Sequence, residues 1–159
     1  MTRRMKKTAG YPTPTPEEIA GLLARAVNNP KSGEAATAKK SLWRMPQEIA
    51  VINKFEIKVP AAAMDNIRLG HMDKMMEDHW YMYCDDSTIR YYRSWTGICA
   101  YEAQYVKDGE DYRITEVAVN RNPDQYRGTD DDYDFNMFIG LLIGDAGVGN
   151  LDFLFKYTL

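Results

Sequence analysis

The sequence predicts an α+β fold: an antiparallel β-meander of about four to five strands with packing helices, preceded by a helical N-terminal segment. Three observations lead there. Between Trp80 and Asn120, runs rich in aromatic and β-branched residues are separated by turn clusters only a few residues long. Strands joined so closely run antiparallel, because a parallel crossover needs a dozen residues or more. Before residue 70, and again over 129–143, apolar residues recur at three- and four-residue intervals, the period of a helix with one buried face. Finally, the 159-residue, 18.3 kDa chain is 45% hydrophobic and 27% charged, so it can bury one sizeable core without metals or disulfides.

Residues 1–15 read as a flexible tail, with Arg3, Arg4, Lys6 and Lys7 unopposed and prolines at 12, 14 and 16 favouring extended backbone. Residues 16–70 read as the helical segment. Thr15 is a good N-cap for Pro16-Glu17-Glu18, with proline at the first helical position and acids in the first turn. Ile19, Leu22, Leu23, Ala26 and Val27 make its apolar stripe, which stops at Asn28-Asn29-Pro30. A second helix is expected over 34–42 and a third from Pro46 through Ile49, Ile52 and Asn53. Phe55–Val59 alternates up to Pro60, and 61–77 is again compatible with a helix.

Residues 71–159 read as the α+β domain. Trp80–Cys84 and Ile89–Ser94 flank the turn cluster Asp85-Asp86-Ser87 and predict a β-hairpin. Ile98–Val106 and Tyr112–Asn120 extend the meander, with Ile114, Glu116 and Ala118 on one face of the last strand and Thr115, Val117 and Val119 on the other. Thr129 is expected to cap a helix, with Asp132 completing a capping-box-like pattern and Tyr133, Met137, Phe138, Leu141 and Leu142 forming its stripe. Gly144, Gly147 and Gly149 read as its C-terminal cap and turn, and the alternation from Leu151 to Leu159 suggests a last strand.

Several functions are excluded or disfavoured. A net charge of −3 and an isoelectric point near 5.4 give no global basic field for nucleic acid, and no helix-turn-helix turn is visible. The apolar stretch Phe138–Ile143 is far below the roughly 20 residues that span a bilayer, so no membrane is expected as a partner. No apolar run follows the basic start, so no secretory leader is expected, and a reduced cytoplasmic setting is the default. Cys84 and Cys99 lack Cys-x-x-Cys spacing, and His71 and His79 are the sole imidazoles, so no metal or other cofactor is expected. Phosphate-loop, dinucleotide-binding, nucleophile-elbow and zinc-protease motifs are all missing.

Chemistry concentrates in two stretches. Arg93-Ser94-Trp95-Thr96-Gly97 offers a guanidinium fork, two hydroxyls, an indole and a flexible backbone at the end of a strand. Those groups suit an anion and a stacked ring, but the residues alone favour a buried tryptophan anchor with Arg93 in a salt bridge, since aromatic residues usually supply core area. The second stretch, Asn120 to Arg127, leaves the last strand of the meander and adds Arg121, Tyr126 and Arg127. Alternate strands of a meander end at the same edge, so both stretches can meet at one mouth. The acids from Asp130 to Asp134 read as helix capping and solvation, with a Mg²⁺ site as the alternative. Covalent catalysis by Ser94 or Cys99 with His79 as base is a further reading that no spacing fixes.

The order Trp80, Arg93-Ser94-Trp95-Thr96-Gly97, Val119-Asn120-Arg121-Asn122-Pro123-Asp124-Gln125-Tyr126 and Thr129-Asp130-Asp131-Asp132-Tyr133-Asp134 resembles a family of small uncharacterised bacterial and phage proteins. That family has a W…RSWTG…VNRDPEQY…TD-x-x-YD layout, and some members resemble domains attached to ADP-ribosylglycohydrolases. The resemblance covers about residues 72–144; it departs at His79, where lysine is usual, and the first 70 residues look like an addition. It implies a link to ADP-ribose or nucleotide chemistry and assigns no catalytic residues. The expected function is therefore non-catalytic binding of a small anionic ligand of nucleotide or ADP-ribose type, in a phage or defence setting. Arg93, Ser94, Trp95, Thr96, Gly97, Asn120, Arg121, Tyr126 and Arg127 are the candidate ligand-binding residues. The alternatives are a protein-interaction protein using the helical N-terminal segment, and an ADP-ribosyl-processing enzyme or its accessory domain. Self-association is left open.

Overall fold

Thr15 opens the first element as its side chain dictates. Its Oγ1 accepts the Glu18 N–H at 3.1 Å while Glu18 Oε1 accepts the Thr15 N–H at 2.9 Å, a complete capping box. Helix α1 (Pro16–Ala24) follows and tightens into a 3₁₀ turn, Arg25–Asn28. A computed structural model describes residues 12–28, 30–31, 35–36, 42–72 and 79–148. Most of the expected tail and the expected last strand at 151–159 lie outside those residues, as does most of the expected 34–42 helix. Ala35, Ala36 and Leu42, which are described, are not helical.

The third expected helix is corrected outright. Ile49–Val51 is a strand, β1, and Ile57–Val59 is β2; both pair antiparallel with the last strand of the meander. Ile49 and Ile52 are three apart and mimic a helical stripe. Ile49, however, pairs with Asn120, a partner 71 positions along the chain that local periodicity cannot register. Helix α2 (Ala61–Arg68) is shorter than the 61–77 expected, and residues 73–77 of that span lie outside the described set.

The meander forms as the sequence predicts: β3 (Trp80–Cys84), β4 (Thr88–Arg93), β5 (Cys99–Asp108) and β6 (Asp111–Asn120). With β1 and β2 the sheet has six strands in the order β1-β6-β5-β4-β3, β2 continuing along β6 beside β1. Two bulges break the alternation. Ala100 is unopposed between the pairs Tyr91↔Tyr101 and Tyr92↔Cys99, and Thr115 is unopposed between Gln104↔Glu116 and Tyr105↔Ile114. The second bulge corrects the expected faces of β6, because Ile114 joins Val117 and Val119 in one core instead of pointing away from them. Asn53 bridges the interval between β1 and β2: its Oδ1 accepts the Val117 N–H at 3.0 Å and its Nδ2 donates to Thr115 O at 3.2 Å.

Helix α3 (Asp131–Asp145) closes the domain. Its cap is Asp130, whose Oδ1 accepts the Tyr133 N–H at 3.0 Å, not Thr129; Asp130 has the extended backbone that an N-cap needs. The buried face is also turned from the expected one, with Phe135, Ile139 and Ile143 fully covered beside Phe138 and Leu142, while Tyr133, Met137 and Leu141 are half-buried. The three helices cover one face of the sheet, where Ile19 and Leu23 of α1, Met64 and Ile67 of α2 and Phe138 of α3 share a core with Met82, Tyr91, Tyr101 and Val119. Residues 16–70 are thus integral to that core, supplying two helices and two strands. On the other face Ala36, Leu42 and Met45 cover Tyr81, Tyr92 and Cys99. No helix among the described residues is long and apolar enough to cross a membrane.

Candidate functional site

In a meander β4 and β6 run the same way, so Arg93 and Asn120 finish at one end of the sheet. Beyond Arg93 the chain reverses tightly. Gly97 N–H donates to Arg93 O at 2.7 Å and Arg93 N–H to Ile98 O at 2.9 Å, a reversal in which Gly97 takes φ +75°, the left-handed region that favours glycine. Thr96 Oγ1 accepts the Ile98 N–H at 3.2 Å, and Gly97 O accepts the Trp43 N–H at 2.9 Å.

The loop after β6 is built from its own asparagines. Asn120 Oδ1 accepts the Asn122 N–H at 2.8 Å, Asn122 Oδ1 accepts the Asp124 N–H at 2.9 Å, and Asn122 O accepts the N–H groups of Gln125 and Tyr126. Asn120 itself is fully buried, and its Nδ2 donates to Cys99 O and to Gln125 Oε1, both at 2.9 Å. Arg121 turns away toward α3: Nη1 lies 2.8 Å from Asp134 Oδ2 and from Gly128 O, and Nη2 lies 2.6 Å from Asp131 Oδ1. Partial burial works against its charge, but the hydrogen bonds with Asp131 and Asp134 outweigh it and raise its pKa. Asp134 is fully buried and also accepts from Tyr101 and Tyr126, at 3.0 and 2.5 Å. Burial first, then the Asp134 carboxylate, pushes the Tyr126 phenol well above its ordinary value, so it stays protonated and donates.

Between these two walls lies a cleft of about 580 Å³, lined by His79, Arg93, Trp95, Thr96, Ile98, Gln125, Tyr126, Arg127 and Gly128. That volume suits a small organic ligand. Arg93 stacks its guanidinium 4.9 Å above the Trp80 ring, which in turn stacks on Tyr101 at 5.6 Å. Trp95 is 71% exposed, so the reading of it as a buried anchor is overturned: its ring is available to the cleft. No carboxylate lines the cleft, and neither Arg93 nor Arg127 forms an ion pair among the described residues. Gly128 leaves no room for a side chain unless the Tyr126 ring moves, because a Cβ there would stand 2.6 Å from Tyr126 Cε2.

Five of the nine residues proposed from sequence therefore meet in the cleft: Arg93, Trp95, Thr96, Tyr126 and Arg127. Four do not line it. Gly97 shapes the turn, Asn120 and Arg121 hold the loop, and Ser94 N–H donates to His79 O at 3.0 Å in the turn's backbone. The sequence marks neither Ile98 nor Gly128; Gln125 falls within the Asn120 to Arg127 stretch without being among the candidates, and His79 enters there only as a base and as a departure from the family layout. The acids are occupied: Asp130 caps α3, Asp131 and Asp134 hold Arg121, and Asp132 lies 3.1 Å from Lys54. Among the described residues no three His, Cys, Asp or Glu side chains group closely enough to hold a metal ion. Cys99 is buried, and burial pushes its thiol up to about 12, which removes it as a nucleophile near neutral pH.

A second cleft of about 580 Å³ lies on the opposite face among Trp43, Arg44, Tyr83, Arg90, Tyr92 and Glu102. Its Arg90 is held between Glu102 and Asp85 at 2.8 and 2.9 Å, so much of its charge is balanced internally. The first cleft differs in having no lining carboxylate, whereas Glu102 lines the second. Comparisons with known families, curated proteins and solved structures find nothing that matches this chain.

Proposed function

We propose that this protein binds a small anionic ligand of nucleotide type in the cleft between the 93–98 turn and the 120–128 loop, without transforming it. One observation carries the reading: Arg93 and Arg127 converge on a cleft with no lining carboxylate to neutralise them. Like charges gathered without counter-charge raise the free energy of the empty site, and an anion relieves it. The exposed Trp95 indole and the Tyr126 ring supply stacking area for a base, and the loop that carries Tyr126 is fixed in advance by Asn120, Asn122 and Arg121. ADP-ribose, with a pyrophosphate and an adenine ring, is the ligand that the sequence resemblance brings forward for this chemistry.

The test is thermal unfolding against nucleotides, with ADP-ribose and cyclic dinucleotides among them. A ligand present at a hundred times its dissociation constant adds about 2.7 kcal/mol, and Arg93→Ala removes that shift while the unliganded variant keeps its fold. A flat panel, or an Arg93→Ala variant that binds unchanged, rejects the site. A flat panel favours the protein-interaction reading, for which the edge strand β1 exposes Ile49 and Val51, 45% and 56% accessible. Deleting the N-terminal segment cannot test that reading, because β1 and β2 belong to the sheet. A pull-down with the full chain can.

A further inference from the structure

Gln125 carries information that its place in the sequence does not. Its Oε1 accepts a 2.9 Å hydrogen bond from Asn120 Nδ2. The Asn120 amide has no freedom to reverse that bond, since its Nδ2 also donates to Cys99 O and its Oδ1 accepts from Asn122 N–H. With both ends of Asn120 committed in the interior, Gln125 must present oxygen to it and is left with its NH₂ group. Gln125 lines the cleft, and its Nε2 donates to no described residue.

The two guanidinium groups of the cleft have the same polarity. Arg93 and Arg127 carry donors and no acceptor. The Thr96 oxygen already accepts from Ile98 N–H and keeps its O–H to donate, while the Tyr126 hydroxyl, its proton given to Asp134, is the one phenolic acceptor of the cleft. A ligand group that itself needs an acceptor finds few partners there, whereas one bristling with oxygens finds many.

We propose that Gln125 is a specificity-determining residue of this cleft, locked by Asn120 as a donor, and that the group it receives is an oxyanion bearing acceptor oxygens only, phosphoryl or carboxylate. The inference rests on the anion-binding reading above and narrows it from charge to hydrogen-bond polarity. Asn120 is then a positioning residue acting through Gln125.

Titration calorimetry with adenosine 5′-monophosphate, ADP-ribose and the uncharged adenosine, on the full chain, tests it. Gln125→Met keeps the length of the side chain but loses both the donor and the oxygen that Asn120 uses; it lowers the melting temperature, and in titrations run well below that temperature it weakens the two phosphate-bearing probes about tenfold or more. Gln125→Glu presents oxygen on both sides and weakens them further, while adenosine changes little with either substitution. A second readout needs no variant to fold well. The side-chain NH₂ protons of Gln125 in a ¹⁵N–¹H spectrum move downfield on adding inorganic phosphate, which carries no aromatic ring to shift a residue that is merely wall. If the phosphate probes bind wild type but Gln125→Met binds them equally well, or the NH₂ resonances stay put, the donor role is wrong and the anion-binding reading survives. If wild type binds none of the phosphate probes, both fall together.

Discussion

Arg121→Met removes the guanidinium that stands 2.8 Å from a carboxylate with no solvent access. Asp134 would keep the Tyr101 and Tyr126 hydroxyls but lose its counter-charge, and the Gly128 carbonyl would lose its donor as well. Breaking a buried pair from one side costs about 3–5 kcal/mol, because the remaining charge stays buried. The two phenolic donors place this case near the lower end, about 3 kcal/mol. At this chain length each kcal/mol lowers the melting temperature by roughly 2–4 °C, so the expected loss is about 6–12 °C. Circular dichroism melts at neutral pH measure it. Arg93→Met is the internal comparison, since its guanidinium lies exposed over Trp80 and such a contact is worth about 0.5–1 kcal/mol. Arg121→Met/Asp134→Asn should recover part of the loss by removing the stranded charge. A single-variant shift below about 2 °C, or a double variant no more stable than the single, would refute the assignment of Arg121 to the scaffold and return it to the ligand.

Three further outcomes follow from particular contacts. Gly128→Ala drives a Cβ against the Tyr126 ring, so it should lower stability by about 1–3 kcal/mol and weaken ADP-ribose binding as the ring shifts; unchanged melting and affinity would contradict the packing. Cys99, with its thiol at about 12 and buried under the 42–45 segment, should resist iodoacetamide in the native protein and react on unfolding; rapid native labelling followed by mass spectrometry at that residue would overturn its burial. Asp85 is partly buried, which opposes its charge, but the Ser87 and Thr88 N–H groups and Arg90 outweigh this and hold its carboxyl below the usual value. A carboxyl depressed in the folded state stabilises fully above its unfolded pKa, and the contribution is lost as pH falls through the folded one. Asp85→Asn should therefore lower stability at neutral pH and flatten the acid limb of a melting-temperature profile; parallel acid limbs would dismiss the idea.

The meander and the meeting of two distant stretches at one mouth were legible because each depends on local pattern: strand runs, short turns and the parity of an antiparallel chain. Thr15 was legible for the same reason, since a cap and its N3 glutamate are three residues apart. What escaped was long-range. β1 is three residues long and owes its conformation to β6. The bulge at Thr115 turns Ile114 onto the face of Val117, and no residue in the strand announces it. Asn120 and Arg121 looked like ligand-binding groups because their partners, Cys99 O and Asp134, come from other elements. Arg121 reads from sequence as an anion-binding group, but the anions it holds are the protein's own carboxylates, and Asn120 likewise spends its hydrogen bonds inside the chain.

The pairing of β1 and β2 with β6 has a consequence in time. During synthesis residues 49–59 leave the ribosome before the strand they pair with exists, and at roughly 5–20 residues per second the wait to reach residue 120 is about 3–12 s. The hairpins β3–β4 and β5–β6 close over short loops, whereas joining Ile49 to Asn120 closes a loop of 71 residues. The four strands of the meander can thus pair with near neighbours in sequence, whereas β1 and β2 must wait for β6. Until they pair, β6 is an open edge, so a chain cut within the 52–56 connection, once β1 has left, would present residues 118–120 of that edge to another copy.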